Sequence, residues 1–275
     1  MADVKNIIRN VRRHYIDRID DRYLPCSAEE AERRQEGKTL GGLLELLIDD
    51  ESTEFIAKNT MFSICQLVYD KMLESNDSPA CSLWKSLEEN AAKAAVSFYE
   101  GRGIRDSVKQ KIYGMKPELL SLGISKAAKR RHLAFHEDET AESIARLAKY
   151  FSGSKKPDTI IGIASGAIEP ALLLKAYMSP KHTEFIRYSS FRKDYHVKVP
   201  KILEDKIEKS ISGKKVLIID DWVATGVTLD KAAAYAKSLK PSAVYATGVV
   251  IDYYIKRTIG AKKDFMCSGH PVFEY

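Results

Sequence analysis

A chain of 275 residues is long enough for one large domain or two modest ones, each with its own core. Its 44% hydrophobic and 30% charged content is ordinary for a globular protein in water, and no stretch approaches the roughly 18 apolar residues that span a bilayer. The net charge of +6 is unevenly placed: residues 1–150 carry nearly equal numbers of both signs, so the positive excess falls in residues 151–275 and suits an anionic ligand.

Residues 1–135 read as helical. The N-terminal MADVKNIIRNVRRHY mixes charges with aliphatics and lacks the apolar core of a secretion signal. Val4, Ile7, Ile8, Val11, Tyr15 and Ile19 follow helical spacing, and Leu40–Ile48, Phe55–Leu73 and Ser82–Tyr99 continue the pattern. Asn76–Pro79 predicts a turn, Gly101–Gly103 a break, and Lys116–Ser125 short elements joined by turns. Within this region Lys126–His132, KAAKRRH, is a basic cluster suited either to nucleic acid or to a solvated helix end. The four cysteines, Cys26, Cys65, Cys81 and Cys267, form no Cys-x-x-Cys pair. Isolated thiols of this kind fit a reducing compartment, so the expected location is cytoplasmic.

From Glu137 the pattern changes to alternating helices and short apolar runs. Helices are expected over Glu137–Phe151, Ile168–Met178, Leu229–Leu239 and Tyr254–Gly260. Strands are expected over Thr159–Ala164, Glu184–Ser190, Val216–Ile219, Val244–Ile251 and a final extended Val272–Tyr275. Short apolar strands alternating with helices predict an α/β domain over residues 136–275, with a parallel sheet covered on both faces.

The most informative stretch is Val216–Leu229, VLIIDDWVATGVTL. An apolar strand runs into two carboxylates, Asp220 and Asp221, followed by a loop with Thr225, Gly226 and Thr228 and then by a helix. Ligands of open α/β sheets bind beyond the carboxyl ends of strands, where this loop must lie. A loop that opens a helix offers backbone amides and a positive dipole end to a phosphate. Gly226 allows close approach, and the two threonines add hydroxyl donors. Two carboxylates beside a phosphate cradle make sense if they accept hydrogen bonds from hydroxyls of the same ligand. Phosphate and vicinal hydroxyls together describe a ribose 5-phosphate group; the alternative is a surface turn with an incidental acid pair and a threonine cap.

This segment resembles the phosphoribosyl pyrophosphate (PRPP) motif of type I phosphoribosyltransferases. Upstream, IIGIASGA at residues 160–167 looks like that family's first strand and pyrophosphate loop, with Ala164, Ser165, Gly166 and Ala167 lining the ligand. The segment Arg187–Lys201, RYSSFRKDYHVKVPK, matches the family's closing loop, and it supplies Arg192, Lys193 and His196 as candidates for contacting the leaving diphosphate. It lacks the glycine that accompanies the loop histidine in the orotate branch, although Gly248–Tyr275 is most similar to that branch. The resemblance covers Glu137–Tyr275 and implies transfer of ribose 5-phosphate from PRPP to a nitrogenous base, with release of pyrophosphate. Asp220 and Asp221 would hold the ribose hydroxyls and, indirectly, PRPP-bound Mg2+; Ala224, Thr225, Gly226, Val227 and Thr228 would hold the 5-phosphate. It further implies a homodimer with no membrane association. The 6-oxopurine branch usually has an aspartate at the position of Ala224, and Trp222 replaces the usual small aliphatic residue. The rival expectation is a non-catalytic sensor of PRPP or nucleotide that regulates nucleotide metabolism, with or without RNA as a ligand; the leading reading calls for no nucleic acid.

Overall fold

The computed structural model describes residues 33–49, 53–75, 78–126, 137–164, 166–188, 196–223, 225–251, 263–267 and 270–275. The chain forms two compact units, the first spanning Lys5–Asp138 and the second built on Glu139–Tyr275.

The first unit is helical throughout its described residues: α1 (Leu40–Ile48), α2 (Glu54–Glu74), α3 (Ser78–Tyr99), α4 (Asp106–Gly114) and α5 (Lys116–Ser121). Residues 76–77 of the turn expected at Asn76–Pro79 lie outside the described residues, and Ser78 and Pro79 open α3 instead. Pro79 sits in its first turn, where a missing N–H costs no helical hydrogen bond. Thr39 and Thr53 cap α1 and α2 with side-chain oxygens that accept from Gly42 N and Ile56 N. Helix α2 is buried around nearly its whole circumference, which explains why its apolar residues do not confine themselves to one stripe. Even Lys58 is buried; its Nζ donates to the Tyr99 hydroxyl at 3.1 Å, among the rings of Phe55, Phe98 and Tyr99. The expected helical pattern over Val4–Ile19 and most of the basic cluster 126–132 lie outside the described residues.

The second unit is a six-stranded sheet in the order β2-β1-β3-β4-β6-β5. Its strands are β1 (Thr159–Ala164), β2 (His182–Arg187), β3 (Lys215–Val223), β4 (Ala243–Ile251), β5 (Lys263–Cys267) and β6 (His270–Glu274). The first four pair in parallel, whereas β6 pairs antiparallel with both β4 and β5. The sheet is therefore mostly parallel, with an antiparallel edge that the alternating strand–helix pattern did not disclose. The expected helix at Tyr254–Gly260 lies outside the described residues.

Helices α6 (Glu137–Tyr150), α7 (Ile168–Met178), α8 (Glu204–Ile211) and α9 (Val227–Ser238) complete the unit. Helix α7 packs on β1 and β2, and α9 packs on β3 and β4. Gly162 sets the approach of α7: a Cβ there would come within 2.9 Å of the Ala171 methyl and 2.8 Å of the Phe185 ring. Residues of β1 to β4 and β6 join Ile207 and Ile211 of α8 and Leu229, Ala232, Ala233 and Ala236 of α9 in one apolar cluster. Helix α8 went unforeseen because its EDKIEKSI offers only two large apolar positions, Ile207 and Ile211, yet their i,i+4 spacing is enough to bury one edge. It is held further by the Thr159 hydroxyl, which donates to the Ser210 carbonyl.

Candidate functional site

Strand β3 extends four residues beyond the expected Ile219, so Asp220 and Asp221 are strand residues and not part of the loop. Eight of its residues find partners on β4, including Asp220 opposite Gly248 and Trp222 opposite Val250. Pairing on either side of Asp221 supports the acid pair. The pair is asymmetric: Asp220 is buried and Asp221 half-buried. Asp220 Oδ1 accepts the backbone N–H of Asp221 at 3.0 Å. Burial, reinforced by the Asp221 charge beside it, pushes the Asp220 carboxyl well above its usual range.

The loop after β1 meets the acid pair near the end of β3. A Cβ on Gly166 would overlap the Asp221 carboxylate, touching both of its oxygens and its Cγ. Gly166 is thus the surface against which Asp221 rests. Its neighbour Ala167 caps α7 without a side-chain hydrogen bond, and Gly226 caps α9 in the same way. Helices α4, α5 and α8 share this open cap, whereas the first amides of α1 and α2 are taken by threonine hydroxyls. Both helices that open from the candidate loops leave their N-terminal dipole ends without a side-chain oxygen from the cap residue, as an anion site requires.

Gly226 has φ +75° and ψ −12°, the left-handed region that non-glycine residues rarely occupy. It supplies the α9 cap, so the expectation of a threonine cap as the alternative role of this turn is corrected. Thr225 and Val227 are exposed, Thr228 half-buried, and Asp230 N donates to the Gly226 carbonyl at 2.9 Å. The first turn of α9 is anchored on its far side by the Tyr275 hydroxyl, which donates to Asp230 Oδ1 at 2.8 Å. Ala164 ends β1 and is buried, while Ser165 and Ala224 lie outside the described residues.

For the expected closing loop, the structure describes the base. Arg187 and Lys198 form an antiparallel bridge, with Arg187 N donating to Lys198 O at 2.7 Å and Lys198 N donating to Arg187 O at 2.8 Å. The strand expected over Glu184–Ser190 ends at Arg187. His196 is exposed near this bridge; Arg192 and Lys193 lie outside the described residues. Arg187 itself is the functional candidate that sequence reading passed over. It is buried, closes β2, and sits in register with Ala164 at the end of β1. The available signal was a cation terminating an apolar strand, FIR, at the carboxyl edge of the sheet.

Among the described residues no cluster of three or more His, Cys, Asp and Glu forms a metal cage. A pair of carboxylates offering oxygen donors alone fits Mg2+, which keeps several waters and needs only one or two protein carboxylates beside phosphate ligands. Asp220 and Asp221 are the residues that would hold it, indirectly, through the PRPP that carries it.

A raised carboxyl has a consequence for stability. The folded state binds this proton more tightly than the unfolded chain does. Asp220's favourable contribution is therefore complete below the ordinary value of 3.8 and is lost as pH rises through the higher folded-state value. Asp220→Asn keeps the shape and removes the buried charge. It should melt above wild type at pH 8, with the difference closing towards pH 4; a gain of about 1 kcal/mol corresponds to roughly 2–4 °C. A difference in Tm that does not change with pH would show that burial imposes no cost on the ionised form.

The phosphoribosyl transferase domain family matches residues 135–268. Over 143 residues the chain is 30% identical to the hypoxanthine-guanine phosphoribosyltransferase of Aquifex aeolicus (strain VF5), covering 50% of this chain and 79% of that protein. It is 27% identical over 127 residues to the ribose-phosphate pyrophosphokinase of Pyrococcus abyssi (strain GE5 / Orsay), covering 46% of this chain but only 35% of that enzyme. Among solved structures, a purine phosphoribosyltransferase from Pyrococcus horikoshii Ot3 aligns with a TM-score of 0.35 and 24% identity, over 43% of this chain and 77% of that one. The matched residues hold the acid pair, the cradle at Gly226 and the loop at Gly166, and on these grounds the chain belongs to the type I phosphoribosyltransferase family.

Proposed function

We propose that the α/β unit transfers the ribose 5-phosphate group of Mg2+-bound PRPP to a ring nitrogen of a base, releasing pyrophosphate. The observation that carries this reading is the contact of Asp221 with Gly166, which brings the hydroxyl-accepting acid pair onto the small-residue loop beside it. A ligand bound there has its hydroxyls against the carboxylates. Its 5-phosphate lies on the amides from Thr225 to Thr228, and its diphosphate lies on the amides around Gly166 and Ala167. Magnesium would offset charge on the departing diphosphate. Arg187 at the end of β2, with Arg192, Lys193 and His196 from the following segment, would supply positive charge on the same side, where it is most effective once water is excluded.

Ala224 bears on the acceptor. Hydrogen-bond and proton exchange with a 6-oxopurine ring calls for a carboxylate at this position, and a methyl group offers none. The acceptor is therefore a base that needs no such partner, despite the 30% identity to a hypoxanthine-guanine enzyme. The reading includes a homodimer and a cytoplasmic location; among the described residues, no helix is long and apolar enough to cross a membrane.

Pyrophosphate release from PRPP and Mg2+ is to be measured with adenine, hypoxanthine, guanine, orotate and uracil. Turnover with at least one base is expected, and Asp221→Ala should weaken PRPP binding by roughly 1–3 kcal/mol through loss of a hydroxyl acceptor. Unchanged PRPP affinity in Asp221→Ala overturns the site. A second reading, a sensor that binds PRPP without turnover, is favoured by the helical unit, nearly all of which lies outside the residues matched by the family. Binding of PRPP with no pyrophosphate release across the panel selects that reading.

A further inference from the structure

The positive excess of residues 151–275 gathers only in part around the candidate site. Because β1 to β4 are parallel, their first residues share one edge of the sheet, opposite the edge that carries the acid pair. Lysine stands at the start of every one of these strands: Lys155 and Lys156 before β1, Lys181 before β2, Lys214 and Lys215 at β3, and Lys240 before β4. Backbone hydrogen bonds stitch the four starts together. Asp158 N donates to Lys215 O at 2.9 Å, His182 N to Asp158 O at 3.1 Å, Ser242 N to Lys214 O at 2.9 Å and Gly213 N to Lys240 O at 2.9 Å. Neighbouring strands lie about 4.8 Å apart, so in the order β2-β1-β3-β4 the row of cations extends over about 14 Å.

Helix polarity accounts for other lysines, not for these. Helices α7, α8 and α9 run back to this edge, and Lys175, Lys209 and Lys237 in their last turns complement the negative ends of their dipoles. Lys240 follows α9 at φ +56°, a left-handed position where glycine is the usual residue, so a long cation is kept there against backbone preference. Lys155, Lys156, Lys181 and Lys240 are exposed, and Lys214 and Lys215 half-buried. Among the described residues the acids on this edge are Asp158, Glu208 and Glu274, and Asp158 is engaged by Lys181 Nζ at 3.1 Å and by the Lys215 N–H at 3.2 Å. Aromatic rings stand beside the cations. Lys155 Nζ donates to the Tyr150 hydroxyl at 2.7 Å and sits 4.3 Å from the centre of its ring. Tyr150 and Tyr245 are half-buried, with ring centres 5.0 and 5.5 Å from that of Phe151. The exposed large apolar side chains of the unit lie elsewhere: Trp222 and Val227 at the opposite edge, Ile202 before the start of α8.

We infer that the amino-terminal edge of the sheet is a docking surface for single-stranded nucleic acid, whose phosphates meet the row of lysines and whose bases stack on Tyr150 and Tyr245. A file of cations with few acids and no exposed large apolar side chain suits a polyanionic strand better than a membrane, which calls for apolar insertion beside the charge. Rings set among the cations suit unpaired bases, because every base has a face to stack whatever its sequence, and a duplex keeps those faces hidden. The surface lies at the edge of the sheet opposite the acid pair. Nucleic acid and PRPP therefore bind without competing, and the inference stands under either reading of the candidate site.

The test measures fluorescence anisotropy of a labelled single-stranded oligonucleotide of about 16 nucleotides with the full-length chain, between about 50 and 200 mM salt. Log affinity against log salt should fall with a slope of about −3 to −4, which is about 0.7 for each of four to six phosphate contacts. Lys156→Ala, Lys214→Ala and Lys240→Asn combined should flatten that slope by about 2 and weaken binding at least about tenfold at low salt. Asparagine at position 240 tolerates the left-handed turn, and an unchanged Tm verifies the fold. Lys85→Ala, Lys93→Ala and Lys111→Ala remove the same charge from exposed positions of the helical unit and should leave affinity within about twofold of wild type. Tyr150→Leu should lose roughly 5-fold or more with the slope unchanged, the effect of one stacked base. Absence of oligonucleotide binding at low salt overturns the inference. So does an unchanged slope in the strand-edge variant, or an equal loss in the helical-unit control. Binding of the corresponding duplex as tightly as the single strand, or wild-type affinity in Tyr150→Leu, overturns the stacking of bases. Tighter binding of an acidic peptide or of anionic vesicles than of the oligonucleotide overturns nucleic acid as the partner.

Discussion

Gly226→Val is expected to abolish PRPP binding in a protein whose sheet still forms. The residue holds φ +75° at the start of α9, a conformation that a β-branched side chain adopts only under strain of about 1–3 kcal/mol. The valine must either bear that strain or rotate the turn, and rotation re-aims the amides of Val227 and Thr228, which would face the phosphate in the proposed site. Gly226 is also buried, so a fall in Tm alone does not separate a structural role from a functional one. Gly226→Asn makes the separation. Asparagine tolerates the left-handed region, so it preserves the turn but places a side chain where the phosphate would approach. If the glycine serves only the backbone, the asparagine variant melts near wild type and binds PRPP normally. If the cradle requires close approach, it melts near wild type and binds at least tenfold more weakly, which is the expected result by calorimetry. A folded Gly226→Val protein with wild-type PRPP affinity would remove the loop from the site.

How far the sequence disclosed this site depends on the range over which each feature is determined. Strand β1 and helix α7 were legible to the residue because an uninterrupted apolar run, TIIGIA, and a helix bounded by small residues are set locally. The Thr-Gly-x-Thr segment was legible as the turn that opens a helix because its signal is carried by contiguous residues. Features decided by tertiary partners were not. Strand β3 continues through Asp220, Asp221 and Trp222, polar and bulky residues that resemble a loop, because β4 supplies a parallel partner as far as Val223. The antiparallel β5–β6 edge was hidden because His270–Glu274 pairs with Lys263–Cys267 and β4, a choice that alternation along one strand does not encode. Arg187 was hidden because its significance lies in its register with Ala164, more than twenty residues away in sequence. Burial of Asp220 beside an accessible Asp221 was invisible for the same reason: adjacent identical residues acquire different properties only from their surroundings.

Gly166→Ala is expected to produce a loss of PRPP affinity comparable to that of removing the Asp221 carboxylate, even though the substitution adds only one methyl group. The position differs from Gly226 in kind. The obstacle is the Asp221 carboxylate, into which the new Cβ would intrude. Either the side chain of Asp221 rotates away from the loop or the loop retreats from the strand, and each outcome separates groups that must grip one ligand together. The effect on stability should be small, because Asp221 is half-buried and can move towards solvent. The expected result is therefore a near wild-type Tm with PRPP binding weakened by roughly ten- to a hundredfold, the equivalent of about 1–3 kcal/mol. A double-mutant cycle with Asp221→Ala isolates the cause. If the methyl acts by displacing the carboxylate, adding Gly166→Ala to Asp221→Ala costs little more, because the group it would displace is already gone. If the two losses instead add in full, Gly166 acts through its own backbone contact with the diphosphate. Wild-type affinity in Gly166→Ala would mean that Asp221 serves the ligand equally well from another rotamer, and the contact between Gly166 and the acid pair would lose its functional meaning.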